Sequence, residues 1–210
     1  TVNDTTVTST ANGKPKVLIF FSTECYNSKS TFKSLQSATL SNVDIIGIDC
    51  NLHTKDQVAT FAKDYQSNGI QFSYDTGYSV NNASMWKYVR AFMGSDTSSI
   101  TLPVIAYIDA DNQLQHLTSG IQTSSQIFNN LTTYCDYVGT LSLSDKSVSL
   151  DSGSSHTLIV YMDGRQTNGD KYTWTSSNTK VATVDKFGNV TAVGAGTATI
   201  TCKSTDGTKL

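Results

Sequence analysis

Four cysteines and three histidines are the residues with nucleophilic or metal-binding capacity in this 210-residue chain, and their spacing narrows the chemistry. Cys25, Cys50, Cys135 and Cys202 are far apart, and no two form a C-x-x-C pair, so zinc-site spacing is absent. His53, His116 and His156 are scattered and unaccompanied by cysteine or carboxylate clusters. No Ser/His/Asp grouping has hydrolase spacing, and no glycine-rich loop is built to cradle phosphate. Asp109 and Asp111 read as turn-formers. No metal and no cofactor is expected. Thiol chemistry is what remains. The four cysteines allow three complete pairings, among which the sequence does not choose.

The elements that must position these thiols follow from hydrophobic periodicity. Lys16–Phe21 (KVLIFF), Val43–Ile48 (VDIIGI) and Pro103–Ile108 (PVIAYI) are continuous apolar runs, the pattern of strands buried on both faces. Gln113–Thr118 alternates, and Asp111-Asn112 supplies a turn joining it to the third run as an antiparallel hairpin. Thr54-x-x-Gln57 and Thr123-x-x-Gln126 are capping boxes, each followed by apolar residues at helical spacing. Ser84–Met93 predicts a third helix, with Trp86 and Tyr88 as packing residues. Ser28–Leu40 predicts a fourth, with Phe32 and Leu35 facing in. Cys25 then stands between the first strand and a helix, and Cys50 just past the second strand. Cys135 falls on the apolar face of its helix, as a buried thiol, and Cys202, after an alternating strand, reads as a packed or half-exposed thiol. A short strand is possible at Thr5–Ser9.

Composition bounds the partners. Only 15% of residues are charged, net charge is −2, and the basic residues are scattered, which excludes a field for nucleic acid. No apolar stretch approaches the roughly 20 residues that cross a bilayer, so no membrane insertion is expected. Ser, Thr and Asn take over the solvent-facing positions, as is common outside the cell. The chain begins with Thr, and it is read as a mature form whose leader has been removed.

After Val138 the texture changes to short strands between turn signals: LSL, VSL, HTLIVY, YTWT, VATV, NVTAV and TATITC, the pattern of an antiparallel sandwich. The expected organisation is a flexible segment over 1–12, an α/β domain over 13–138 and an all-β domain over 139–210.

The first domain resembles the thioredoxin superfamily, in its extracytoplasmic thiol–disulfide oxidoreductase and peroxiredoxin-like branch. The carrying residues are Gly13 to Cys25, Ile46 to Asp49, Val58 to Tyr65, Leu102 to Asp111, and Gly120. The resemblance implies a mixed sheet with helices on both faces, and a cysteine opening a helix whose N-terminus stabilises a thiolate. It implies a proline facing that cysteine, usually after a cis peptide, and this maps to Pro103, preceded by Leu102. The family's C-x-x-C reads here as Cys25-Tyr26-Asn27-Ser28, so the second thiol is replaced by Ser28. Glu24 stands where an aromatic residue often precedes the cysteine, and Ile19 where an acid is often buried. Cys25 is the implied catalytic thiol, Cys50 a replacement resolving thiol, and Ser28, Leu102 and Pro103 the substrate groove.

The second domain resembles the group 2 bacterial immunoglobulin-like domain through Trp174 to Asn178, Val181 to Asp185, Gly188 to Ala192 and Gly194 to Thr201. Such domains act as spacers or adhesive units of secreted and surface proteins. A final strand after the loop Ser204–Gly207 is expected to be missing, with an uncovered sheet edge. Two functions follow. In one, a secreted or cell-surface bacterial protein displays a degenerate thioredoxin-like domain on an immunoglobulin-like module for binding a protein or cell-surface ligand. In the other, it is an extracytoplasmic thiol–disulfide oxidoreductase in which Cys50 resolves what Cys25 captures.

Overall fold

The computed structural model describes residues 11–66, 69–74, 80–93, 100–167, 171–204 and 210, and the side chains of 80–84, 92 and 93 lie outside the description. The proposed strand at Thr5–Ser9 falls outside these residues. Two compact units divide the chain, Thr1–Tyr137 and Val138–Leu210.

Unit 1 is built on a five-stranded sheet in the order β3-β2-β1-β4-β5. Its strands are β1 (Lys16–Phe21), β2 (Asp44–Asp49), β3 (Gln71–Ser73), β4 (Val104–Ile108) and β5 (Leu114–Ser119). β1, β2 and β3 run parallel, while β4 and β5 are antiparallel to their neighbours. Parallel neighbours need crossovers, and α1 (Tyr26–Gln36) and α2 (Lys55–Tyr65) provide them. α3 (Val80–Met93) leads from β3 toward β4, and α4 (Ser124–Tyr134) follows β5. The sheet is mixed and has helices on both faces, as the sequence predicts.

Every residue of β1 is buried, which explains its unbroken apolar run. Leu18, Phe20, Ile46, Val104 and Ala106 meet Met85 and Val89 of α3 on one face, with Trp86 and Tyr88 packed against the same cluster. On the opposite face Phe21 meets Phe32 of α1, Phe61 of α2 and Phe72 of β3 at ring-centroid distances of 4.9–5.8 Å. Gly47 of β2 makes this possible. A Cβ there would lie 2.8 Å from the Phe72 ring and 3.1 Å from Phe32.

Both capping boxes are formed. Thr54 and Thr123 each accept from the backbone of the N3 glutamine, whose side chain returns to the cap. Three details depart from the sequence reading. α1 begins at Tyr26 and stops at Gln36, short of Leu40. Past it, Ser37 turns its hydroxyl onto the Ser34 carbonyl, the local competition by which serine ends helices. β3 is a three-residue edge strand, too short for any periodicity. In β5 a register shift at Tyr107/Ile108 sends Leu114 and Leu117 toward the same α3-side cluster, so simple alternation fails.

Unit 2 is all β. Its strands are β6 (Leu141–Leu143), β7 (Ser155–Thr157), β8 (Val160–Met162), β9 (Arg165–Gln166), β10 (Tyr172–Ser176), β11 (Ala182–Val184), β12 (Asn189–Ala192) and β13 (Ile200–Ser204). They form the sheets β6-β8-β9, β11-β12-β7 and β10-β13. The apolar run HTLIVY is two strands, not one. β7 pairs with β12 and β8 with β6, and the chain changes sheets at Leu158-Ile159. The Leu158 N–H there goes to the Gly188 carbonyl at 2.9 Å and that of Ile159 to the Ser144 hydroxyl at 3.1 Å. The run Val148–Leu150 forms no strand. Asp163-Gly164 turns β8 into β9 with both residues at positive φ, the two-residue hairpin that Asp-Gly favours. The outer edge of β13 is partly met: Leu210 exchanges both backbone hydrogen bonds with Cys202, at 2.9 and 3.1 Å.

Two carboxylates of unit 2 give it a defined acid response. Asp185 is held below the ordinary aspartate range, first by the Asn189 side chain and then by backbone N–H groups of the β11–β12 turn. Asp145 is held down first by hydrogen bonding to His156 and then to Ser144. Both bonds favour the ionised form in the folded state, so their stabilisation is complete above the unfolded aspartate value and disappears as pH falls through the lowered folded values. Urea unfolding of unit 2 between pH 6 and pH 2 is expected to show this acid loss, and Asp185→Asn to shrink it.

Candidate functional site

Cys25 occupies the N-cap of α1 in an extended backbone conformation. Its N–H donates to the Ser22 carbonyl at 3.1 Å, and its own carbonyl accepts the first helical bond from Lys29, also at 3.1 Å. Its side chain makes no capping bond. Instead, Sγ lies 3.6 Å from the carbonyl oxygen of Leu102. The thiol is partly exposed, and no acidic residue falls in the first turn of the helix. The unpaired N–H groups of a helix's first turn carry partial positive charge toward its N-cap, the position Cys25 occupies.

Leu102 belongs to the loop entering β4, and the Leu102–Pro103 peptide is cis. Gly120, just past β5, donates its N–H to the carbonyls of both Thr101 and Pro103, at 3.0 and 2.9 Å. The start of α1 and the proline loop therefore meet at one end of the sheet, beyond the C-terminal end of β1. Open α/β sheets place their sites beyond the C-terminal ends of their parallel strands.

The other expected groove residues are placed differently. Pro103 is buried, Leu102 is partly open, and Ser28 is fully buried. Ser28 therefore does not line an open groove, and its hydroxyl has no hydrogen-bond partner among the described residues. Its Cβ faces inward because the third helical residue after Cys25 points toward the core. Cys25 lies between two exposed residues, Glu24 and Tyr26, the latter 76% exposed.

Cys50 follows β2. Its N–H donates to the Phe21 carbonyl at 2.9 Å, which hangs it on the residue just before Ser22, the anchor of Cys25. Its Sγ donates to the Ile48 carbonyl at 3.6 Å and belongs to the apolar cluster beneath α3. No disulfide joins the two thiols, and none of the four cysteines is in one. Cys135 and Cys202 are poor nucleophiles. Burial, with the nearby Asp109 and Asp136 carboxylates, pushes the Cys135 thiol up to about 12. Burial alone pushes Cys202 to about 11. At neutral pH such thiols hold almost no thiolate.

A buried Asp49–His53 pair at the end of β2 escaped the sequence reading. Asp49 Oδ1 lies 2.6 Å from His53 Nδ1, and Oδ2 accepts the His53 backbone N–H at 3.0 Å. The signal was available: an aspartate ending an apolar strand, followed four residues later by a histidine. Among the described residues, no group of three or more His, Cys, Asp or Glu side chains is arranged to hold a metal ion.

Sheet order, helix placement and the cysteine–proline juxtaposition make unit 1 a thioredoxin-like fold. Solved structures similar to the chain include DsbF of MTB (18% identity, 57% of this chain and 80% of that one, TM-score 0.41). StoA from Bacillus subtilis is another (18%, 56% and 81%, TM-score 0.40). A thiol-disulfide isomerase from Corynebacterium glutamicum is a third (16%, 65% and 91%, TM-score 0.46). At these identities the likeness is one of fold, which does not settle function. Residues 137–210 match the family described as bacterial Ig-like domain (group 2). The chain is thus a thioredoxin-like fold followed by an all-β unit that matches the group 2 bacterial Ig-like model. No curated protein matches its sequence significantly. Among the described residues, no helix is long and apolar enough to cross a membrane.

Proposed function

We propose that unit 1 performs thiol–disulfide exchange outside the cytoplasm through the single thiol of Cys25, with the Ig-like unit as its spacer. The observation that carries this reading is the 3.6 Å approach of Cys25 Sγ, at a helix N-cap, to the carbonyl of Leu102 before Pro103. The Cys25 thiolate attacks one sulfur of a client disulfide, forming a mixed disulfide and releasing the other client sulfur as thiolate. Ser28 carries no sulfur to reverse that bond. Resolution therefore comes from a thiol outside the first helical turn, either Cys50 or a thiol of the client. The exposed Tyr26 ring directly after Cys25 suits a client that presents an apolar side chain beside its disulfide. The low-charge surface and the Ig-like unit support an extracellular or cell-surface location.

The second reading, a non-catalytic scaffold for binding or adhesion, is favoured by one observation: the partner position of the thiol pair is a buried serine. The two part on the rate of mixed-disulfide formation with a disulfide-containing client such as insulin. Exchange is expected in the native chain and its complete loss in Cys25→Ser. Equal rates in both, or no exchange in either, would leave the scaffold.

A further inference from the structure

The loop leaving β2 is fixed at both of its ends. At one end the Cys50 N–H donates to the Phe21 carbonyl at 2.9 Å. At the other, the fully buried Asp49 carboxylate takes both the backbone N–H of His53 and its Nδ1. Between the anchors run Cys50, Asn51 and Leu52, with Leu52 at φ +60, a conformation unfavourable for a branched apolar side chain. Leu52 keeps that conformation while more than half exposed, so its own packing does not impose it. A buried carboxylate is costly unless partnered, and here one partner comes from the loop itself. The pair thus ties loop geometry to the interior of unit 1, and the residue held in that geometry is a cysteine.

Cys50 and Cys25 hang from consecutive carbonyls, those of Phe21 and Ser22. These consecutive anchors set both cysteines at the same end of the sheet. In the braced loop the Cys50 thiol is directed to the Ile48 carbonyl and covered by the α3-side cluster.

We infer that the Asp49–His53 pair holds the Cys50 thiol in reserve, so that Cys25 captures a client as a lasting mixed disulfide and Cys50 resolves it only when the brace opens. The inference rests on Cys25 as the nucleophile. Asp49 and His53 act here as positioning residues. In the first step Cys25–S⁻ attacks R–S–S–R, giving Cys25–S–S–R and R–S⁻. In the second, Cys50 gives its S–H proton to solvent and its sulfur attacks the Cys25 sulfur, giving the Cys25–Cys50 disulfide and a second R–S⁻; the client disulfide is the two-electron oxidant of the pair.

The test treats the full chain with 5,5′-dithiobis(2-nitrobenzoate), following aryl thiolate release and the mass of the cysteine peptides. In the native chain, one aryl group is expected to remain on Cys25. In His53→Gln, and in the shape-conserving Asp49→Asn, the second release is expected at least about tenfold faster, the scale of losing one buried hydrogen bond. It should yield a Cys25–Cys50 peptide and vanish when Cys50→Ser is added. A purely structural role for the pair would not produce a release that depends on Cys50. Prompt Cys25–Cys50 formation in the native chain overturns the inference. So do equal second-release rates in native and variant chains, and both outcomes leave Cys25 as nucleophile intact. An unreactive Cys25 sinks the functional reading and the inference together.

Discussion

Replacing Phe32 by alanine is expected to cost unit 1 about 3–5 kcal/mol, the range for emptying a buried aromatic site. Phe32 is fully buried, with the Phe21, Phe61 and Phe72 rings at 5.2, 5.5 and 5.1 Å. These rings come from β1, α2 and β3, so Phe32 joins α1 to three other elements at once. The cavity would be lined by rigid rings that cannot collapse into it. Phe32→Leu keeps most of the volume and is expected to lose less than half as much. Urea unfolding followed by unit-1 signals checks this, and a loss below about 1 kcal/mol would mean that the cluster does not hold α1. The consequence reaches the site, because the N-cap of that helix is Cys25.

The second large effect is expected at Gly139→Ala in unit 2. An added Cβ would lie 2.5 Å from Asp163 Cγ and 2.7 Å from Oδ1. That carboxylate is buried and accepts the Thr140 N–H at 2.9 Å, while the Asp163 N–H donates to the Thr140 carbonyl at 2.9 Å. The exchange extends the β6–β8 ladder one residue beyond Leu141↔Met162. The methyl group must displace the carboxylate, which breaks its bond to the Thr140 N–H. A loss of about 3 kcal/mol is expected from overpacking and the lost bond together. Asp163→Ala alone should lose the bond without the clash. The double variant should therefore be more stable than the sum of the two single losses predicts. Strict additivity would show that the glycine is not there to admit the carboxylate.

The parts legible in the sequence are those whose causes are local. The capping boxes at Thr54 and Thr123 need only residues three apart. The buried strands declare themselves because β1 is covered on both faces. Pro103 stands out because the chain has only two prolines. What was not legible depends on distant partners. HTLIVY reads as one strand because nothing within it reveals that the Gly188 carbonyl and the Ser144 hydroxyl divert it between sheets. The bulge in β5 answers to its pairing with β4. Ser28 was placed in the groove by motif alone, whereas its burial is set by how α1 lies on the sheet. Asp49 and His53 went unread because a polar pair four residues apart normally marks a solvated face, and here the carboxylate is at the sheet's end with no solvent exposure.

Cys25 is therefore the one thiol combining partial exposure, a helix N-cap and the facing proline loop, while Cys135 and Cys202 are buried and Cys50 is tied down beside the Asp49–His53 pair. The most direct test traps the native chain on a disulfide-bonded client, quenches the mixture with acid and identifies by peptide mass which cysteine holds the client. The client is expected on Cys25, in the peptide that also contains Tyr26 and Ser28. A client found on Cys50, Cys135 or Cys202 with Cys25 unmodified, or on no cysteine at all, would contradict the account.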